Sequence, residues 1–60
     1  MKIREVRLRK GHAVKTVAKY LALSEKQYLL KEENNDLFTV EEVIKLSSFF
    51  EVSVKELIKD

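Results

Sequence analysis

The chain has 60 residues, 45% apolar and 37% charged, with a formal net charge of +2, one glycine, one histidine, and neither cysteine nor proline. A chain this short is expected to form one domain, residues 1–60, that buries only about 60% of its unfolded surface, so its stability margin is thin and self-association would help it. The composition excludes disulfides, thiolate metal sites and a disordered tail, and a basic start followed by charges predicts neither a leader peptide nor a membrane span, hence a cytoplasmic protein.

The first helix is predicted over roughly residues 2–10, with Ile3 and Val6 inward, Leu8 flanking, and Arg4, Arg7 and Arg9 polar. Gly11 stands where that pattern should stop and takes the left-handed cap conformation cheaply. His12 then reads as a helix-boundary residue. Val14, Val17, Ala18 and Leu21 fall at i, i+3, i+4 and i+7, the stripe of a second amphipathic helix with Lys15 and Lys19 facing out. Ser24 and Gln27 have capping-box spacing, so a third helix begins just after Ser24, with Tyr28 in the core and its hydroxyl at the edge. The hinge at Leu21-Ala22-Leu23-Ser24 is too short for antiparallel packing and predicts a steep crossing of the two helices.

Asn34-Asn35-Asp36 interrupts the periodicity, and an asparagine is well suited to close the third helix in the left-handed region. Leu37 and Phe38 form an apolar loop lid. Thr39-x-x-Glu42 repeats the capping signal ahead of Val40, Val43, Ile44, Ser47 and Phe50, a fourth helix. Ser53-x-x-Glu56 repeats it again before Val54, Leu57 and Ile58, a short fifth one.

Charge is divided unevenly along these elements. Residues 1–31 carry nine basic side chains against two acidic ones, or +7, whereas residues 32–60 carry three against eight, or −5. The basic half attracts phosphates, and the acidic half discourages indiscriminate wrapping by a polyanion.

With five helices and a hinge placed, the chain resembles the Cro and phage-repressor family of helix-turn-helix regulators over residues 3–58. Arg7 and Gly11, Val17-Ala18, Leu21, Leu23-Ser24, Tyr28 and Glu32 carry the resemblance, with residues 43–46 and 50–58. It implies an all-α, five-helix, lambda-repressor-like DNA-binding domain in which the second and third helices form the helix-turn-helix. Departures are Ala13-Val14 where the family begins its second helix with Ser-Gln, and Ala22 and Asn34 where glycines are usual. Leu29 and Leu30 stand where polar residues are common, and Lys31 where a buried apolar one is expected.

In such a fold the third helix enters the major groove, and Ser24, Glu25, Lys26, Gln27 and Leu29 are the candidate base readers. Lys26 suits guanine acceptors, Gln27 an adenine, Glu25 a cytosine amino group and Leu29 a thymine methyl. Gln27 has an alternative role as the capping partner of Ser24, and Glu25 as a helix-dipole residue. Arg7, Arg9, Lys10, Lys15, Lys19, Asn34 and Asn35 are the candidate contacts to the DNA backbone. Leu46 and Phe49 lie off the fourth helix's stripe and, with Val54 and Ile58, are candidates for a homodimer contact. The alternative is that the fourth helix is wide-faced within a small core.

One histidine, no oxyanion loop, no glycine-rich phosphate cradle and no metal-ligand cluster predict no enzyme, no cofactor and no metal. The expected partner is double-stranded DNA, bound by a dimeric repressor. The competing expectation is a protein partner, with the chain acting as an antitoxin, anti-repressor or other phage-type inhibitor, which Val14, Glu25, Leu29 and Leu30 favour.

Overall fold

The computed structural model describes residues 1–59; Asp60, counted above in the acidic half, lies outside them. Five α-helices follow one another as α1 (Ile3–Arg9), α2 (Val14–Tyr20), α3 (Glu25–Glu33), α4 (Val40–Phe50) and α5 (Val54–Ile58), with a 3-10 turn at Asn35–Leu37 between α3 and α4. No strand occurs among the described residues.

The three capping signals start three helices. Ser24 Oγ accepts from the Gln27 amide at 3.0 Å, and Gln27 Oε1 accepts from the Ser24 amide at 3.0 Å, the reciprocal bonds of a capping box. Thr39 and Glu42 repeat that pair at the start of α4, both bonds at 3.0 Å. Ser53 Oγ accepts from the Glu56 amide at 3.1 Å, while the Glu56 carboxylate turns to Arg9 instead. α2 begins at Ala13 with no side-chain cap, as expected of a chain lacking serine there.

Three helices also end alike. After α1, the His12 amide donates to Arg7 O at 3.0 Å and the Gly11 amide to Leu8 O at 3.1 Å, with Gly11 at φ +76°. After α2, Leu23 donates to Ala18 O at 2.9 Å and Ala22 to Lys19 O at 3.1 Å, with Ala22 at φ +60°. After α4, Val52 donates to Ser47 O at 3.0 Å and Glu51 to Ser48 O at 3.2 Å, with Glu51 at φ +58°. These are Schellman motifs, each satisfying two orphan carbonyls by passing one residue through the left-handed region. Only the first uses a glycine.

α3 ends differently from the expectation. Asn34 has φ −128° and is extended, not left-handed. The helix is closed by Asn35, whose Nδ2 donates to Lys31 O at 3.1 Å and Glu32 O at 2.8 Å. A side-chain amide thus does what a left-handed residue does elsewhere.

One core joins the helices: Ile3 and Val6 from α1, Val17 and Ala18 from α2, Leu21, Tyr28 from α3, Phe38, Val43, Leu46 and Phe50 from α4, and Leu57 from α5. The extents of 25 × 23 × 17 Å leave room for a single buried layer. The chain's start is tied to its other end by the Lys2 amide, which donates to Leu57 O at 2.8 Å.

The inward arc of α4 differs from the expectation. Val43, Leu46 and Phe50 are buried, whereas Val40 and Ile44 are 78% and 54% exposed. Successive residues turn by about 100°, so Leu46 and Ile44 lie on opposite flanks of Val43, and the core takes up the former. Leu46 is therefore fully buried and withdrawn as a dimer contact. Phe49 is partly buried, its ring 4.6 Å from Tyr20 and 4.7 Å from His12, so His12 belongs to an aromatic cluster. Leu8 is exposed and Leu37 half exposed, while Phe38 alone closes over the core.

Candidate nucleic-acid interface

α3 follows α2 after the four residues 21–24 and packs against it. Its inner line is Tyr28 and Glu32, four residues apart and both buried. That line leaves Ser24, Glu25, Lys26, Gln27 and Leu29 exposed, so all five candidate readers reach solvent. Ser24 and Gln27 are nonetheless engaged with each other: Gln27 Oε1 is held by the cap, and its amide nitrogen is the atom left to meet a base.

The cations divide into two groups. Arg7 does not face solvent; it is 8% exposed and sits at i+4 from Ile3 on the inner side of α1. Its Nε donates to Glu32 Oε2 at 2.9 Å, its Nη2 to Glu32 Oε1 at 3.0 Å and its Nη1 to His12 O at 3.0 Å. Arg7 is therefore withdrawn as a DNA-backbone contact, because a buried carboxylate needs its fork. Arg4 adds a third bond to Glu32 at 3.1 Å. Arg9 is exposed but paired with Glu56, and Lys31 is bound to Glu42. Lys10, Lys15, Lys19 and Lys26 are exposed and have no acidic partner among the described residues. Four of the nine cations in the basic half are thus engaged by three carboxylates, Arg7 and Arg4 sharing Glu32, and the exposed cations with no such partner are lysines.

Asn34 and Asn35, expected at the DNA backbone, have structural tasks. Asn34 Oδ1 accepts from the Asp36 amide at 3.3 Å, and both Nδ2 bonds of Asn35 go to the end of α3. Asn35 is partly buried and is withdrawn as a phosphate contact; Asn34 remains exposed.

The buried pair is electrostatically consistent. Burial disfavours the Glu32 carboxylate, but Arg7 first, and after it the neighbouring Tyr28 hydroxyl and Arg4, outweigh it and hold its pKa below the usual carboxylate range. Burial, followed by the neighbouring Glu32 carboxylate, pushes the Tyr28 phenol well up. The Tyr28 hydroxyl is buried, not at the edge, and lies beside this pair without a hydrogen bond of normal geometry. Glu42 follows the logic of Glu32: burial opposes its charge, and the Lys31 ammonium and the Thr39 cap prevail.

A second surface is apolar. Met1, Phe38, Val40, Val43, Ile44, Val54 and Ile58 line an open groove of about 240 Å³ between the first half of α4 and α5. Val54 and Ile58, candidates for a dimer contact, are exposed there, and Ile44 and Val40 join them in place of Leu46 and Phe49. The sequence signal for this exchange is the competing stripe Val43-Leu46-Phe50, at i, i+3 and i+7.

Among the described residues no helix is long and apolar enough to cross a membrane, and no group of three His, Cys, Asp or Glu side chains could hold a metal ion. No protein-family model, curated protein or solved structure matches the chain.

Proposed function

We propose that this chain is a sequence-specific DNA-binding regulator, most simply a repressor, whose α2 and α3 act as a lambda-repressor-like helix-turn-helix. α3 lies in the major groove with Lys26, Gln27, Glu25 and Leu29 toward base edges, and Lys10, Lys15 and Lys19 hold phosphates. The observation that carries this reading is the exposed first turn of α3, anchored from behind by Tyr28 and Glu32 and accompanied by unpaired lysines on α2 and α3. Arg7 and Arg4 support it indirectly, by fixing the helix instead of touching DNA.

One nine-residue helix reads few base pairs, so two copies related by a two-fold axis are the economical arrangement. The groove lined by Ile44, Val54 and Ile58 is the proposed contact between copies, setting two α3 helices about 34 Å apart on a palindrome.

Selection of bound duplexes from random DNA, followed by affinity against salt, tests the proposal. Each neutralised phosphate contributes about −0.9 to the logarithmic salt slope, so Lys10, Lys15 and Lys19 from each of two copies predict a slope of about −5. A short inverted repeat emerging from the selection with a steep slope is the expected result. Failure to enrich any duplex would favour a second reading, an interaction module for a protein partner. The observation behind that reading is the exposure of Leu29 and Leu30 on α3, 39% and 53%.

A further inference from the structure

Tyr28 is the one fully buried apolar anchor of α3, so apolar packing alone does little to fix the roll of the helix about its axis. Two neighbouring charged residues oppose such a roll. Glu32 is drawn toward α1 by Arg7 and Arg4, and Lys31 toward α4 by Glu42. Adjacent residues project about 100° apart around a helix, so the two attachments pull α3 from different sides.

The Lys31 attachment is not an ordinary surface pair. Its Nζ donates to both carboxylate oxygens of Glu42, at 2.7 and 2.9 Å, and the two side chains are only 21% and 14% exposed. Glu42 is itself immobilised, because the same Oε1 accepts from the Thr39 amide in the capping box of α4. The lysine is thus bound to a carboxylate that the start of α4 holds in place, whereas exposed pairs cost conformational freedom for little gain.

We infer that Lys31 and Glu42 are positioning residues that set the roll of α3, and so determine which bases the exposed face of α3 can read. The inference rests on the DNA-binding reading above. With side-chain tips about 6 Å from the helix axis, a roll of about 20° displaces them by about 2 Å. Such a shift takes a base-edge hydrogen bond out of range. Lys31 itself touches no base.

The test compares the full chain with Lys31→Met, Lys31→Arg and Glu42→Gln. Affinity is measured for the duplex enriched from random DNA and for an unrelated duplex of the same length at one salt concentration, with thermal unfolding recorded for each protein. Lys31→Met fills the half-buried site without the charge, and Glu42→Gln keeps an acceptor for the Thr39 amide. Both should lower the specific-to-unrelated affinity ratio about tenfold, the discrimination that one base-edge pairing supplies, while unrelated-duplex binding holds. Lys31→Arg, able to pair with both oxygens, should keep the ratio.

An unchanged ratio in Lys31→Met and Glu42→Gln, each folded at the assay temperature, would overturn the inference and leave the pair as a fastening only. If Lys31→Met does not fold, Glu42→Gln and Lys31→Arg decide the matter by the same ratio. A wild-type chain with no preferred duplex refutes the DNA-binding reading itself and this inference with it, a failure visible before any variant is compared.

Discussion

Glu32 illustrates how one buried charge can organise a small helical chain. Its side chain is fully buried and receives bonds from two arginines, and Arg7 in turn holds the His12 carbonyl just after Gly11. Removing one member of such a pair strands the other without compensation, so Glu32→Gln should cost about 3 kcal/mol at neutral pH, read by urea unfolding. The pH dependence has a definite sign. Glu32 and Glu42 ionise in the folded chain below their unfolded value of about 4.3, so their contribution is complete above that pH and is lost as pH falls through the lower folded values. Stability should therefore fall below about pH 4, and less steeply in Glu32→Gln, which no longer titrates there. An equally steep acid limb in the variant would show that other carboxyls dominate. Neither pairing is legible in the sequence, because Arg7 and Glu32 are 25 residues apart and Lys31 and Glu42 eleven, and local periodicity carries no record of such partners.

Helix starts are legible for the opposite reason. Ser24, Thr39 and Ser53 cap through bonds that span three residues, and the spacing itself dictates the partner. The left-handed residue that closes a helix is legible only at Gly11. Ala22 and Glu51 adopt the same left-handed backbone with a Cβ, which costs roughly 1–2 kcal/mol, against about 0.4–1 kcal/mol for the greater unfolded freedom of glycine. Ala22→Gly and Glu51→Gly should each stabilise the chain by about 0.5–1 kcal/mol, a rise of several degrees in Tm for a domain this small. A fall in Tm for both variants would contradict the strain ascribed to those caps. Gly11→Ala should have the opposite effect, losing about 1 kcal/mol through backbone conformation alone, since no atom lies within 4 Å of an added Cβ. The inward face of α4 is not decided by local pattern, because two apolar stripes share Val43 and Phe50, and only packing against the other helices selects Leu46 over Ile44. The exchange moves the apolar surface from Leu46 to Ile44 and Val40, beside Val54 and Ile58.

These pieces assemble into a chain that exposes two kinds of chemistry: the first turn of α3 and the lysines of α2 and α3, and an apolar groove between α4 and α5. If the groove joins two copies, Ile44→Glu should shift the chain to monomer in sedimentation and weaken binding to an inverted repeat far more than to a single half-site. Leu46→Ala, by contrast, should destabilise the fold by about 2–5 kcal/mol, as a core truncation does, without acting first on association. On the basic side, Lys26→Ala should change which bases are preferred, whereas Lys15→Ala should weaken all duplexes alike and make the salt slope shallower by about 1 for each phosphate no longer neutralised. The most direct test of the central claim is an amide NMR titration of the chain with the duplex enriched from random DNA. The largest shifts are expected at Ser24, Glu25, Lys26, Gln27 and Leu29, with smaller ones at Lys15 and Lys19. Shifts confined to Val40, Ile44, Val54 and Ile58, or no shifts at all, would contradict that claim.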